Sequence, residues 1–266
     1  MWIKWAIVCA LAIALYLLGR WAAVRFAPRW LPLMLAGGLV LAIPGVLFAS
    51  YYLHCFDDWV GFISFRAYPG TEFLGAGAGF LAGVIDRLIR KHTRASGWAI
   101  PTLAFLGVTL PFLKPLLAPL DHSTLVDRWE GEICLQSTAS TCGPASAATS
   151  VRFLGGRSTE SELALAAHTS SSGTEIWYLI RALRPLGYEG TARCAVARLD
   201  EVHLPAIAGV RNKNTGAGHF VAIIQHKDNR WLIGDPLAGG AWFLLEEATQ
   251  TFGFTGFFLE VGRRAE

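Results

Sequence analysis

Charge is scarce in this chain. Only 16% of its 266 residues are Asp, Glu, Lys or Arg, against roughly 25% in an average soluble domain, and its mean hydropathy is +0.41. An apolar fraction of 53% excludes a disordered polymer. Metal-ligand spacing is missing as well: no C-x-x-C, H-x-x-x-H or H-E-x-x-H occurs, so neither a zinc site nor a zinc-dependent hydrolase is expected. The phosphate-binding pattern G-x-x-x-x-G-K-[ST] is absent too. The glycine-rich run Gly75-Ala-Gly-Ala-Gly leads into no Lys-Ser/Thr pair, which excludes nucleotide hydrolysis by that loop. No long basic tract marks a nucleic-acid partner, and nothing implies a cofactor.

What charge there is divides unevenly. Residues 1–120 hold 10 Lys+Arg and 4 Asp+Glu, and residues 121–266 hold 13 and 16, so the halves carry +6 and −3. The positive excess lies in short clusters between apolar runs, which is how membrane topology is written. A bilayer core about 30 Å thick takes about 20 apolar residues as a helix. Trp5–Gly19, Trp30–Leu53 and Trp98–Leu120 approach or exceed that length, with Lys4 and Lys114 near enough to run ends to snorkel. Ala67–Ile89 is a marginal fourth run, rich in glycine and interrupted by Glu72 and Asp86.

Topology argues for that fourth run. Arg20, Arg25 and Arg29 follow the first run, while Arg87, Arg90, Lys91 and Arg94 follow the marginal one. Both clusters belong on the cytoplasmic side, so the chain must leave and return between them. The expectation is about four helices with the lipid bilayer as partner, the N-terminus outside, and everything after Leu120 extracytoplasmic. Trp2, Trp5, Trp21, Trp30, Trp59 and Trp98 sit near run ends, as interfacial rings do. Gly19-Arg20-Trp21 is no small-residue cleavage site, which favours a retained anchor over a signal peptide.

After residue 120 the long runs give way to short elements with turn punctuation. Domains 1–120 and 121–266 are therefore expected, the second of a size that holds its own core. Cys142-Gly-Pro opens a small-residue helix running to Phe153. A second helix begins at Ser158-Thr-Glu-Ser-Glu with Thr159 and Glu162 spaced as a capping box, and a third, capped by Thr174, runs from Glu175 to Arg184. Strands are expected over 191–196, 205–210, 219–225, 231–234, 242–245 and 254–261. Helices followed by strands indicate an α+β domain with an antiparallel sheet.

Three residues in that half form the minimum set for nucleophilic catalysis. Cys142 stands at a helix N-terminus, His219 opens a strand and Asp235 ends the next. A helix N-terminus and a neighbouring imidazolium both favour a thiolate. Lys227-Asp228-Asn229 as a hairpin turn would make His219 and Asp235 neighbours. Arg211, Lys213, Lys227 and Arg230 read as a solvated strand-end face. His122, His168, His203 and His226 have no partner pattern, and Cys9 and Cys55 stand outside the chemistry.

The run Cys134-Leu-Gln-Ser-Thr-Ala-Ser-Thr-Cys-Gly-Pro-Ala-Ser-Ala-Ala, with Gly173-Thr-Glu, Leu204-Pro-Ala-Ile-Ala, Gly218-His-Phe-Val-Ala-Ile and Leu232-Ile-Gly-Asp-Pro, resembles the peptidase C39 family. These are double-glycine leader peptidases, best known as N-terminal domains of bacteriocin-exporting ABC transporters. The resemblance covers about Glu132–Val261. It implies a papain-like cysteine peptidase fold, with Cys142 as nucleophile, His219 as general base and acid, Asp235 as orienting group and Gln136 as oxyanion-hole donor. A peptide substrate with a leader segment follows, and a separate ABC-type exporter is a possible partner, since no ATPase domain follows here.

The sequence departs from the family in three respects. The residue before the nucleophile, often acidic in the family, is Thr141. The domain follows membrane segments instead of preceding a transporter core. The transporter-linked domains face the cytoplasm, whereas the charge clusters here place this one outside. In an oxidising compartment Cys134 and Cys194 would be free to pair; two buried, reduced thiols is the simpler reading. Two other functions stay open at this point: a catalytically silent leader-binding subunit of an exporter, and an envelope thiol amidase or transpeptidase.

Overall fold

Twenty-four consecutive residues without one acidic side chain, Trp2–Arg25, form a single helix, α1. The computed structural model describes residues 1–55, 59–92, 99–211 and 216–264, with the side chains of Lys91 and His92 left aside. In chain order α1 is followed by α2 (Leu31–Tyr52), α3 (Val60–Arg66), α4 (Thr71–Leu74), α5 (Ala78–His92) and α6 (Ala99–Leu117). Then come β1 (Arg128–Glu130), β2 (Ile133–Leu135), α7 (Cys142–Phe153), α8 (Glu160–Ala166), α9 (Ile176–Leu183) and β3 (Tyr188–Arg193). The chain closes with β4 (Ala206–Arg211), β5 (Gly218–Lys227), β6 (Arg230–Asp235), β7 (Gly239–Leu244), α10 (Leu245–Thr251) and β8 (Gly253–Arg263). It folds as two units, Met1–Asp57 with Pro69–Leu117, and Asp58–Tyr68 with Ala118–Glu266.

In the first unit, among the described residues, three helices are long and apolar enough to cross a membrane: Trp2–Arg25, Pro28–Tyr52 and Ala99–Leu117. Trp98, the expected start of the last run, lies outside the described residues. The marginal run is a broken helix. Gly70 turns the chain in the left-handed region, α4 begins at Thr71, and a 3-10 turn over Gly75–Gly77 joins it to α5. Its glycines have a packing reason. A methyl group on Gly79 or Gly83 would run into the Ala12 or Tyr16 carbonyl of α1, and one on Gly77 into the Leu41 carbonyl of α2. Small residues spaced by four let helix backbones approach where apolar burial gives no drive between them.

The register of these contacts gives direction. Lys4 pairs with Glu72 at 3.9 Å, Ala12 meets Gly79, Tyr16 meets Gly83 and Arg20 reaches Asp86, so α1 and the α4–α5 segment run parallel. Gly45 meets Gly75 and Ala78 while Gly38 meets Leu81, so α2 runs against it. The two acids that made this run marginal are both buried and matched. Asp86, with no exposed surface, accepts from the Tyr16 hydroxyl (2.8 Å) and Arg90 Nε (2.9 Å), and Arg20 lies 3.5 Å away.

The second unit is built on a six-stranded antiparallel sheet in the order β3-β8-β4-β5-β6-β7. β4 is buried along Ala206–Val210, and Val221, Ile223, Trp231, Ile233, Ala248 and Phe258 form the main core with it. The six expected strands are all present within a few residues. The β1–β2 hairpin, α3 and α10 were not expected, because three-residue strands and seven-residue helices are too short for periodicity to show. The capping box at Thr159 and Glu162 forms as expected. Thr174 does not cap α9. Glu175 is its N-cap residue, and the Thr174 hydroxyl is engaged with Thr169 at 2.8 Å.

α3 enters this unit from the connection between α2 and α4. Phe62 packs edge-on to Trp177 of α9, and the Arg66 guanidinium lies 5.1 Å from the Trp177 ring. The carbonyls that end α3 lack partners along their own helix, as at any helix C-terminus. Arg181 donates to the Arg66 and Tyr68 carbonyls, and Arg184 donates to that of Ala67.

Candidate active site

The nucleophile candidate is placed by a helix made of small residues. From Gly143 to Val151 every α7 residue is buried, and Ala, Ser and Thr allow close approach to the sheet. The Ser146 hydroxyl donates to the Phe220 carbonyl of β5 (3.2 Å), which ties α7, one turn after Cys142, to the residue after His219. Thr149 Oγ1 accepts from the Cys134 N–H (2.9 Å) and so ties β2 to the same helix. Cys142 itself is only partly buried.

His219 and Asp235 are brought together by β5 and β6. The connecting turn is Asp228-Asn229, both residues in the left-handed region, the geometry of a two-residue type I′ hairpin. The register set at that turn, Lys227↔Arg230, does not persist: an irregularity between Ile223 and Gln225 inserts one residue, after which Ile223 faces Ile233 and Ala222 faces Gly234. Without the bulge Asp235 would stand opposite Ala222, on the face His219 avoids. With it, Asp235 falls opposite Val221, which shares a face with His219. His219 Nε2 and Asp235 Oδ1 are 2.8 Å apart.

Electrostatics follows from this geometry. Burial of His219 works against its charged form, but hydrogen bonds to Asp235 and to the Cys142 thiol, with the charges of both, prevail and raise its pKa from 6.5 to about 9. Burial also works against ionised Asp235; the bonds from His219 and the Leu237 N–H (2.9 Å) outweigh it and hold the carboxyl below its usual range. With Asp235 at Nε2, the other ring nitrogen is left for the thiol. Cys134, by contrast, is pushed up to about 12, first by burial and then by the charges of Glu160 and Asp127, so it stays a protonated, inert thiol.

Gln136 lies in the loop between β2 and α7. Its backbone N–H donates to the carbonyl of Pro236 (2.9 Å), the residue after Asp235, and its carbonyl accepts from Arg128 Nη2 (3.0 Å). The side chain is 6% exposed, and Nε2 donates one proton to the Thr138 carbonyl (2.6 Å). Oε1 is buried with no partner among the described residues. Thr141, where the resemblance implied an acid, is buried and spends its hydroxyl on the Thr138 N–H and carbonyl, closing the loop on itself. Among the described residues no cluster of His, Cys, Asp and Glu could hold a metal, and none of the five cysteines is in a disulfide.

The Peptidase C39 family model matches residues 131–266, just over half of the chain. The chain belongs to the peptidase C39 family. Its C39 domain is a cysteine peptidase domain of papain-like α+β fold. Uncharacterized proteins of Methanothermobacter marburgensis and Methanothermobacter thermautotrophicus are each 35% identical to it over 107 residues, 40% of this chain and 72% of theirs. Among solved structures, the peptidase domain of Streptococcus ComA, a bi-functional ABC transporter involved in a quorum-sensing pathway, is 20% identical with a TM-score of 0.41, covering 53% of this chain and 98% of that one. A double glycine motif protease from an AMS/PCAT transporter, in complex with its leader peptide, is 21% identical with a TM-score of 0.38, covering 52% and 90%. The N-terminal C39-like domain of a toxin secretion ATP-binding protein from Vibrio parahaemolyticus is 16% identical with a TM-score of 0.37, covering 48% and 99%.

The order of the C39-like motifs is what singles out Cys142, His219, Asp235 and Gln136 as candidates in the sequence. The residues that hold them are less so. Ser146, Thr149, Thr138 and Thr141 read as helix or loop filler until the tertiary structure shows which carbonyls and N–H groups they meet.

Proposed function

We propose that the C39 domain hydrolyses a peptide bond after a double-glycine-type leader, with Cys142 as nucleophile, His219 as acid and base, Asp235 as orienting group and Gln136 as oxyanion donor. The observation that carries this reading is the His219–Asp235 bond of 2.8 Å, on a ring whose charged form the Cys142 thiol also favours. His219 takes the thiol proton as the thiolate forms. The thiolate attacks the carbonyl carbon, and a C–S bond forms as the C=O π pair moves to oxygen. The second N–H of Gln136 Nε2 and the Cys142 backbone N–H stabilise that oxygen. Collapse of the intermediate breaks the C–N bond, and the imidazolium protonates the leaving amine. Water, deprotonated by His219, then releases the acyl group and restores the thiol.

In this reading the first unit is a membrane anchor of four crossings. Residues 58–68 and 118–266 belong to one compact unit, and a folded unit with polar loops does not straddle a bilayer. The stretch between them must therefore leave and return, so if α6 crosses, the α4–α5 segment crosses too. Its parallel run beside α1 and its matched acids are what such a crossing needs. Arg20, Arg25 and Arg29 follow the first crossing and Arg87 and Arg90 close the third, so the charge rule puts those ends in the cytoplasm and residues 118–266, after a fourth crossing, on the extracytoplasmic side. The substrate is a peptide carrying a leader, and a separate exporter would deliver it.

The test uses the full chain in lipid nanodiscs with peptides in which a leader ending in Gly-Gly precedes a cargo segment. Mass spectrometry should show cleavage after the second glycine in wild type and none with Cys142→Ala. Equal product from both proteins would remove the peptidase reading. Tight leader binding without cleavage by wild type would favour a leader-binding subunit instead.

A further inference from the structure

The oxyanion donor proposed above needs to be held in place, and one buried charge stands beneath its loop. Glu160, in the first turn of α8, has no exposed surface. Its two oxygens meet a single residue: Oε1 accepts from the Ser137 N–H at 2.7 Å and Oε2 from the Ser137 hydroxyl at 2.5 Å. Ser137 follows Gln136 directly. The same hydroxyl also accepts from the Val126 N–H (2.9 Å), so Ser137 is held from both sides.

An apolar residue would fill this position at lower cost, because burying a carboxylate carries a penalty of several kcal/mol even after relaxation. What a carboxylate supplies and an apolar side chain does not is a two-point grip on one N–H and one hydroxyl. The neighbouring contacts act on the same short piece of chain. The Gln136 N–H is bound to Pro236 (2.9 Å), its carbonyl to Arg128 (3.0 Å), and its side-chain nitrogen to Thr138 (2.6 Å). Without Glu160, Ser137 keeps only its hydroxyl contacts to Val126 and its N–H loses its partner, so the backbone on that side of Gln136 can shift. A displacement of about 1 Å in a positioning group is enough to cost on the order of 100-fold in rate.

We infer that Glu160 is a positioning residue for catalysis: through Ser137 it fixes the Gln136 amide where the oxyanion develops. The inference rests on the proposed role of Gln136, and the experiment separates the two. Full-length protein in nanodiscs is assayed in three ways: cleavage of a Gly-Gly leader peptide, binding of a leader peptide aldehyde ending in glycinal, and alkylation of Cys142 by iodoacetamide. The aldehyde adds reversibly to Cys142, the thiolate forming a C–S bond and the carbonyl oxygen taking up charge and then a proton, so its affinity reads the oxyanion site. Alkylation displaces iodide and develops no oxyanion.

Glu160→Leu is expected to weaken aldehyde binding and lower kcat about 10- to 100-fold, less than the roughly 100- to 1,000-fold that follows outright loss of an oxyanion donor, with KM and the alkylation rate within twofold of wild type. Glu160→Gln, which keeps an acceptor for the Ser137 N–H, should recover most of the loss. Ser137→Ala, a smaller change that keeps the fold if Glu160→Leu does not, should weaken the aldehyde about three- to tenfold and leave alkylation unchanged. If Gln136→Ala weakens the aldehyde while Glu160→Leu and Ser137→Ala leave it untouched, or if alkylation falls in step with aldehyde affinity, the positioning role is refuted and that of Gln136 stands. If Gln136→Ala changes neither cleavage nor aldehyde affinity, the oxyanion reading itself is lost, and the inference with it.

Discussion

Replacing Asp235 with Asn removes one charge from the site and almost nothing else, which makes its effect on His219 calculable. Oδ1 of an Asn can still accept from Nε2 and from the Leu237 N–H, the two contacts Asp235 makes at 2.8 and 2.9 Å. His219 is lifted from 6.5 to about 9 against its own burial. At about 1.4 kcal/mol per pH unit, that rise is worth about 3 kcal/mol in favour of the imidazolium. Without the carboxylate, the charge-assisted strength of that bond and the charge of Asp235 are lost together; the lift that remains comes from a neutral acceptor and the thiol side, while the burial that opposes charge is unchanged.

The midpoint of His219 in Asp235→Asn is therefore expected below about 8, at least one pH unit under wild type. NMR titration of 13C-labelled histidine in the full-length protein, with His219→Ala to assign the resonance, measures it directly. Cleavage should follow. The basic limb of the pH–rate profile, where the imidazolium that protonates the leaving amine is lost, should move down with the NMR midpoint. A midpoint that stays near 9 in Asp235→Asn would refute the argument, because the charge credited with the shift would then not be its source.

The same lift has a stability consequence of fixed sign. A histidine raised in the folded state stabilises fully below its unfolded value of about 6.5, and that stabilisation is lost as pH rises through about 9; urea unfolding of wild type and His219→Ala should therefore converge between these limits. In the membrane unit, Gly83→Ala should lower the Tm in detergent by several degrees because its methyl meets the Tyr16 carbonyl, whereas Gly37→Ala, with open space around it, should be neutral or slightly stabilising. Phe62→Ala removes a buried ring from Trp177 and should cost about 3–5 kcal/mol in the peptidase unit; unchanged unfolding would mean that α3 is dispensable. Mass mapping after maleimide treatment at pH 7.5 should find Cys142 modified and Cys134 untouched, since the latter is fully buried with its thiol pushed to about 12.

The α3 contacts bear on how the peptidase is studied. A fragment beginning near residue 118 would lack the segment whose Phe62 and Arg66 cover Trp177, and would leave Arg181 and Arg184 without the carbonyls they bind. The full chain is the appropriate object for the measurements above.

Much of this protein is legible in its sequence because the signals are local. Apolar runs long enough for a bilayer, Thr159 and Glu162 three residues apart, strands alternating between turns, and the ordered C39 motifs each state their meaning within a few residues. The marginal run at 67–89 is ambiguous for the same reason. Its glycines and acids make sense only against the Ala12 and Tyr16 carbonyls and Arg20 of another helix. The affiliation of residues 58–68 with the peptidase unit is likewise invisible locally, since seven helical residues need Trp177, Arg181 and Arg184 to hold them. Most consequential is the bulge between Ile223 and Gln225. The sequence places His219 and Asp235 on neighbouring strands, but a strand's side chains alternate faces residue by residue. Only the one-residue shift in the β5–β6 pairing turns the two toward each other.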